Sequence, residues 1–149
     1  MRIEIQKLSY RNIEAFLDLI HVFEEVFEMK DFELPSNEHL QELLSKDDFF
    51  VFVAVSEGVI VGGLTAYSLT QYYSQSPLVY IYDVAVMKKY QRKGIGKKLI
   101  LGIKDYCRDS DIGEIIVQVD ETDEHAIEFY QSTGGKAAKV VQFYYGLNG

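Results

Sequence analysis

Apolar residues alternate at Ile3 and Ile5 and return at Leu8, so residues 2–8 read as a first strand. Ser9 is placed to cap the next segment, where Ile13, Phe16, Leu17, Ile20, Phe23 and Phe27 recur at helical spacing. Glu28-Met29-Lys30-Asp31 then runs into Pro35, which ends that element. Ser36 or Asn37 caps a short second helix carrying Leu40, Leu43 and Leu44. Two long apolar arms, Phe49 to Ser56 and Val59 to Leu69, flank Glu57-Gly58 and predict a hairpin with a tight turn. Gly62-Gly63 inside the second arm predicts a bulge or a close backbone approach.

Residues 70–77, with Gln, Ser, Tyr and Pro, read as a loop. Leu78 to Val86 is apolar enough for a central strand, with Asp83 as its odd member. A helix follows Gly94, with Leu99, Ile100, Ile103 and Tyr106 facing inward. Glu114 to Val119 is a further strand, Asp123 to Ser132 a helix and Lys139 to Tyr145 a last strand. The order β-α-α-β-β-β-α-β-α-β, without repeat or linker, predicts one α+β domain over residues 1–149 with a mixed sheet.

Composition narrows the class. A chain of 149 residues with 48% apolar content can bury a core without staples. The single cysteine, Cys107, forbids an intramolecular disulfide, fits a reducing cytoplasm and sits where a buried structural thiol is expected. The start lacks the apolar block of a signal peptide, and the longest apolar run, Phe49 to Val55, is too short to cross a bilayer. A cytoplasmic protein with no membrane partner is the expectation. The net charge of −8 argues against nucleic acid and admits a cationic substrate, although acidity alone also keeps proteins soluble. His21, His39 and His125 show no metal-ligand spacing, so no metal is expected.

Local charge reverses between Val86 and Leu99. A strand ends, a short loop follows, and Gly94 and Gly96 flank a helix start surrounded by Arg92, Lys93, Lys97 and Lys98. A helix start offers unpaired N–H groups and the positive end of a dipole, and glycines let an anion approach the backbone. Neither the nucleotide P-loop nor the dinucleotide fingerprint is completed here.

Gln91-Arg92-Lys93-Gly94-Ile95-Gly96 resembles the Q/R-x-x-G-x-G/A signature of the GNAT acetyltransferases, with Tyr80-Ile81-Tyr82-Asp83-Val84-Ala85-Val86 as the strand before it. The resemblance implies that fold over nearly the whole chain, a mixed and mostly antiparallel sheet flanked by helices. It implies that the amides of residues 92 to 97, including Arg92, Lys93, Gly94, Ile95, Gly96 and Lys97, hold the pyrophosphate of acetyl-coenzyme A. By the same resemblance Val84, Ala85 and Val86 run beside the pantetheine arm, and the Val84 N–H serves as oxyanion donor. Tyr130 occupies the position of the tyrosine that faces the coenzyme sulfur. A narrower likeness, to the aminoglycoside 3-N-acetyltransferases, lies in Tyr80-Ile81-Tyr82-Asp83 and in Asp123-Glu124 standing seven and six residues before Tyr130.

Acetyl transfer to an amine needs a proton acceptor, an oxyanion donor and a proton for the leaving thiolate. Asp83 either accepts the ammonium proton or anchors a cationic substrate, unless it is a paired structural acid. Tyr130 can protonate a thiolate without being charged first. Asp120, Glu121, Asp123 and Glu124 suit a substrate with several ammonium groups, while helix capping accounts for one or two of them. No serine triad or cysteine nucleophile stands out, so direct attack by the amine is expected. The leading expectation is acetylation of an aminoglycoside, with a homodimer by resemblance. The rivals are acetylation of a polyamine or protein lysine, and a non-catalytic acyl-coenzyme A sensor.

Overall fold

The computed structural model describes residues 1–148. It divides into two compact units, Met1–Gln118 and the segment from Val119 onward. The first unit contains β1 (Glu4–Lys7), α1 (Ile13–Val26), α2 (Asn37–Leu44), β2 (Phe49–Ser56), β3 (Val59–Leu69), β4 (Leu78–Val86), α3 (Ile95–Asp109) and β5 (Glu114–Val117), with a 3₁₀ turn at Lys88–Tyr90. The second contains α4 (Glu124–Ser132).

The sheet order is β1-β2-β3-β4-β5. The first three pairings are antiparallel and β4 with β5 is parallel, so the sheet is mixed and mostly antiparallel. Glu57 and Gly58 both take left-handed φ, 49° and 78°, as a tight hairpin between right-twisted strands requires. β2 is apolar from Phe49 to Val55 because both of its faces are covered. Phe49, Val51 and Val53 join the cluster built on α1 and α2, whereas Phe50 and Phe52 meet Tyr106 of α3 at 5.2 and 5.9 Å between ring centroids. Alternation along the strand therefore puts α1 and α2 on one side and α3 on the other.

The paired glycines of β3 serve both expected purposes. A Cβ on Gly63 would lie 2.6 Å from Leu19 Cδ1 and 2.6 Å from the Phe52 carbonyl, so α1 and β2 press directly on the backbone. Beside them, Ala54 opposes Gly62 while Val55 opposes Ile60, leaving Val61 as the extra residue of a bulge. Cys107 is buried, and burial pushes its thiol above the ordinary range.

Several sequence expectations shift. The α1 cap is Asn12, not Ser9, and the Asn12 side chain accepts bonds from the Ser9 N–H at 2.8 Å and its hydroxyl at 3.2 Å. The helix ends at Val26, well before Pro35, because the chain turns left-handed at Glu28 with φ 50°. Its buried residues are Phe16, Leu19, Val22 and Phe23, while Phe27 is exposed and stacks on Phe23 at 5.6 Å. Ser36 caps α2 by accepting from the His39 N–H at 3.2 Å. The last strand foreseen at Lys139 to Tyr145 does not form: no ladder includes these residues, and Val140, Val141, Phe143, Tyr144 and Tyr145 are exposed. Apolar content alone does not make a strand without a pairing edge.

Candidate active site

The fourth strand supplies a free edge. β5 pairs with β4 only from Leu78 to Ile81, so Asp83 to Val86 keep β3 on one side and no strand on the other among the described residues. The direction of the freed groups follows from the register. The Met87 N–H donates to the Val61 carbonyl at 2.8 Å, and the ladder then pairs Val86 with Gly62, Ala85 with Gly63 and Val84 with Leu64. Antiparallel pairs alternate between bonded and non-bonded, so Ala85 and Asp83 exchange bonds with β3 while Val84 and Val86 point outward. Gln91 Nε2 donates to the outward Val86 carbonyl at 2.8 Å, tying the following loop to the strand end. The Val84 N–H is thus presented along an unpaired edge.

The loop from Met87 to Gly94 turns that edge into a basic corner. Arg92 and Gly94 both take left-handed φ, 63° and 81°, and α3 starts at Ile95 with the Lys98 N–H donating to the Gly94 carbonyl at 3.1 Å. The N–H groups of Ile95, Gly96 and Lys97 therefore precede the first intrahelical bond. Alternation of left-handed residues before a helix turns consecutive amides into a concave anion site. A Cβ on Gly94 would meet no atom within 4 Å, so the space beside this turn is open. Lys88, Lys89, Arg92, Lys93, Lys97 and Lys98 are exposed, and the Lys89 and Lys93 ammonium groups stand 5.4 and 5.7 Å from the centroid of the Tyr90 ring. The two ion pairs formed among the described residues, His21–Glu24 and Arg108–Asp105, use none of these cations. A diphosphate with an extended arm fits this combination of open amides, positive charge and a free strand edge.

Asp83 is half-buried, and burial holds its carboxyl above the ordinary carboxylate range. Its surroundings include residues that periodicity did not single out. Burial, followed by the neighbouring Tyr82, Asp83 and Asp48, pushes the Tyr67 hydroxyl up. Tyr67 meets Tyr82 at 6.0 Å and Phe49 at 5.1 Å between centroids, and Tyr82 meets Tyr80 at 6.1 Å. The Tyr80 hydroxyl donates to Gln118 Oε1 at 3.1 Å. Tyr67 comes to Asp83 through pairing between β3 and β4, a signal no single-strand pattern contains.

In the second unit, Asp123 is the N-cap of α4 and accepts from the Ala126 N–H at 3.1 Å. Asp120 accepts from the Thr122 N–H at 2.9 Å and its hydroxyl at 2.6 Å, and these bonds hold its carboxyl below the usual range. Two of the four acids thus have local structural duties, while Glu121 and Glu124 are exposed. Tyr130 is partly buried on α4 with its ring 5.0 Å from that of Phe129. Among the described residues, no group of three or more His, Cys, Asp or Glu is arranged to hold a metal ion, and no helix is long and apolar enough to cross a membrane.

A mixed sheet whose fourth strand opens beside a basic, glycine-marked helix start defines an acetyltransferase. The Acetyltransferase (GNAT) family model matches residues 13–134, and the chain belongs to that family. Within it the chain lies close to aminoglycoside acetyltransferases. It is 48% identical to the aminoglycoside acetyltransferase meta-AAC0020 from an uncultured soil metagenomic sample, solved in complex with trehalose and with sisomicin. That match has a TM-score of 0.96 and covers 98% of this chain and 97% of the other. The aminoglycoside acetyltransferase HMB0005, also from an uncultured soil metagenomic sample, is 31% identical with a TM-score of 0.94, over 99% of this chain and 100% of that one. The ribosomal-protein-alanine N-acetyltransferase from Brucella melitensis biovar Abortus 2308 shares the fold alone, at 18% identity and a TM-score of 0.76 over 98% and 100% of the two chains. Among curated proteins, none matches the chain.

Proposed function

We propose that this chain transfers the acetyl group of acetyl-coenzyme A directly to an amino group of an aminoglycoside, of the 3-N type. The observation that carries the reading is the open edge of β4 leading into the amide-lined basic corner at residues 91–97. Arg92, Lys93, Gly94, Ile95, Gly96 and Lys97 hold the diphosphate by main-chain N–H groups and charge. Val84, Ala85 and Val86 align the pantetheine arm, with Gln91 fixing the strand end. The Val84 N–H supports the oxyanion as the acceptor nitrogen bonds to the acetyl carbon.

The ammonium proton leaves to Asp83, directly or through water, or Asp83 anchors a neighbouring ammonium group. A carboxyl held above its usual range by burial is suited to taking a proton. As the carbon–sulfur bond breaks, Tyr130 supplies a proton to the thiolate, a role that rests on the family resemblance. Glu121 and Glu124, with the outward oxygens of Asp120 and Asp123, attract a polycationic acceptor. The relatives' association with aminoglycosides supports that acceptor class.

The chain acts as one acetyltransferase domain, supported by a family match that runs across both units. The acceptor is a small cationic molecule rather than nucleic acid or a membrane, and the setting is the cytoplasm. A homodimer completes the assembly, supported by the exposed apolar residues Val140, Val141, Phe143, Tyr144, Tyr145 and Leu147. Thiol release from acetyl-coenzyme A, compared across sisomicin, gentamicin, spermidine and lysine peptides, tests the acceptor. Turnover with the aminoglycosides is expected, and turnover with peptides alone overturns the assignment.

A further inference from the structure

One exposed aromatic on β4 has no part in the core. Side chains alternate along a strand, so an unbroken β4 would turn Asp83 to the face of Ile81, away from Tyr80. The register prevents this. Thr65 opposes Asp83 and Ala66 opposes Ile81, so Tyr82 is an extra residue with no partner across the ladder. Thr65 and Tyr67 share a face of β3, and Tyr67 opposes Tyr80. The bulge therefore returns Asp83 to the face that carries Tyr67 and Tyr80, beneath α1.

Tyr82 itself is 59% exposed, while its ring still meets Tyr67 at 81° and Tyr80 at 78° between planes. Three tyrosines in ring contact thus share a face of the sheet with a half-buried carboxylate to which no hydrogen bond or ion pair forms among the described residues. Aromatic faces attract ammonium groups within about 6 Å, and a carboxylate alongside adds direct charge.

We propose that Tyr82, held by Tyr67 and Tyr80, is a specificity-determining residue that receives an ammonium group of the acceptor against its ring while Asp83 faces the same charge. The bulge is the device that brings ring and carboxylate to one side. This rests on the reading of the chain as an aminoglycoside acetyltransferase. It favours acceptors whose amines are protonated beside a compact ring over neutral or extended ones.

Steady-state kinetics of the full chain test it, with sisomicin varied at saturating acetyl-coenzyme A and then the reverse. Tyr82→Leu is expected to raise KM for sisomicin about tenfold. KM for acetyl-coenzyme A and kcat stay within about twofold of native, because the ammonium held at Tyr82 neighbours the reacting amine and keeps its proton, so the lost attraction is the same in ground and transition states. Tyr82→Phe keeps the ring and restores native KM. An unchanged KM in Tyr82→Leu overturns the proposal, as does a Phe variant as impaired as the Leu variant. A Leu variant that loses thermal stability and both KM values together marks a structural role and also overturns it. If the native chain acetylates no aminoglycoside, the underlying reading fails first. If it does and Tyr82→Leu is indifferent, only this inference fails.

Discussion

Gly62→Ala probes the link between core packing and the coenzyme edge. A Cβ at Gly62 would stand 2.8 Å from the Ala85 carbonyl oxygen and 3.1 Å from Val86 Cα and Cγ2. The nearest obstacle is backbone, which cannot rotate aside as a side chain can, so β4 must move away from β3. That movement stretches the flanking bonded pairs, Val61 with Met87 and Gly63 with Ala85. Overpacking of this kind costs about 1–3 kcal/mol. In a chain of this length each kcal/mol lowers the melting midpoint by about 2–4 °C, so a fall of about 2–12 °C is expected. Ala85 and Val86 also border the outer edge, and each main-chain bond lost to the pantetheine arm weakens acetyl-coenzyme A binding by about fivefold. Gly58→Ala is the control. Its φ of +78° makes alanine strained, by about 1–2 kcal/mol, but its Cβ meets nothing within 4 Å. Circular dichroism melts and calorimetry with acetyl-coenzyme A read both quantities. Both variants should lose stability and only Gly62→Ala should lose affinity. A native midpoint for Gly62→Ala, or equal affinity loss in the two, refutes the reasoning.

Asp83→Asn should lower turnover and raise stability at neutral pH. Burial lifts the folded pKa of Asp83 above its unfolded value, so the native state keeps its proton to higher pH. Stability from this group is present below the unfolded pKa and falls as pH rises through the folded one, a slope that urea melts across that window should show flattened in the variant. Tyr130→Phe should reduce kcat while leaving acetyl-coenzyme A affinity unchanged, and an unaffected kcat removes Tyr130 from the proton path. Asp123→Ala removes the N-cap bond to Ala126 and should cost about 1 kcal/mol in denaturant melts. A stability within error of native contradicts that capping role.

Features fixed by local chemistry were legible in the chain. Glu57-Gly58 announced its turn, Ser36-Asn37 a cap that falls on Ser36, and the glycine-basic segment its helix start, because each depends on a few adjacent residues. Gly62-Gly63 signalled a close approach, although only packing shows that Leu19, Phe52 and Ala85 are what approach it. The cap of α1 was misplaced since Asn12 and Ser9 bond each other, and a cap preference does not say which residue ends the turn. Leu19 and Val22 were missed because α1 is covered over a broader face than its strongest periodic stripe. The greatest loss was at the site. Tyr67 comes to Asp83 and to the Tyr82 ring across a ladder in which Tyr82 is an inserted residue, and registers between strands leave little trace in either strand alone. The apolar tail at Val140 to Tyr145 shows the converse, a strand-like composition without a ladder.

Calorimetric titration with acetyl-coenzyme A and with acetyl-pantetheine, which carries the same thioester and arm but no diphosphate, tests the anion corner most directly. The two ligands differ by the 3′-phosphoadenosine diphosphate, whose diphosphate is what the amides of residues 92–97 and their lysines are assigned to hold. Saturable binding of acetyl-coenzyme A, weakened by added salt, with acetyl-pantetheine bound at least about a hundredfold more weakly, is the predicted result. Equal affinities for both, or no heat from acetyl-coenzyme A at millimolar concentration, would contradict it.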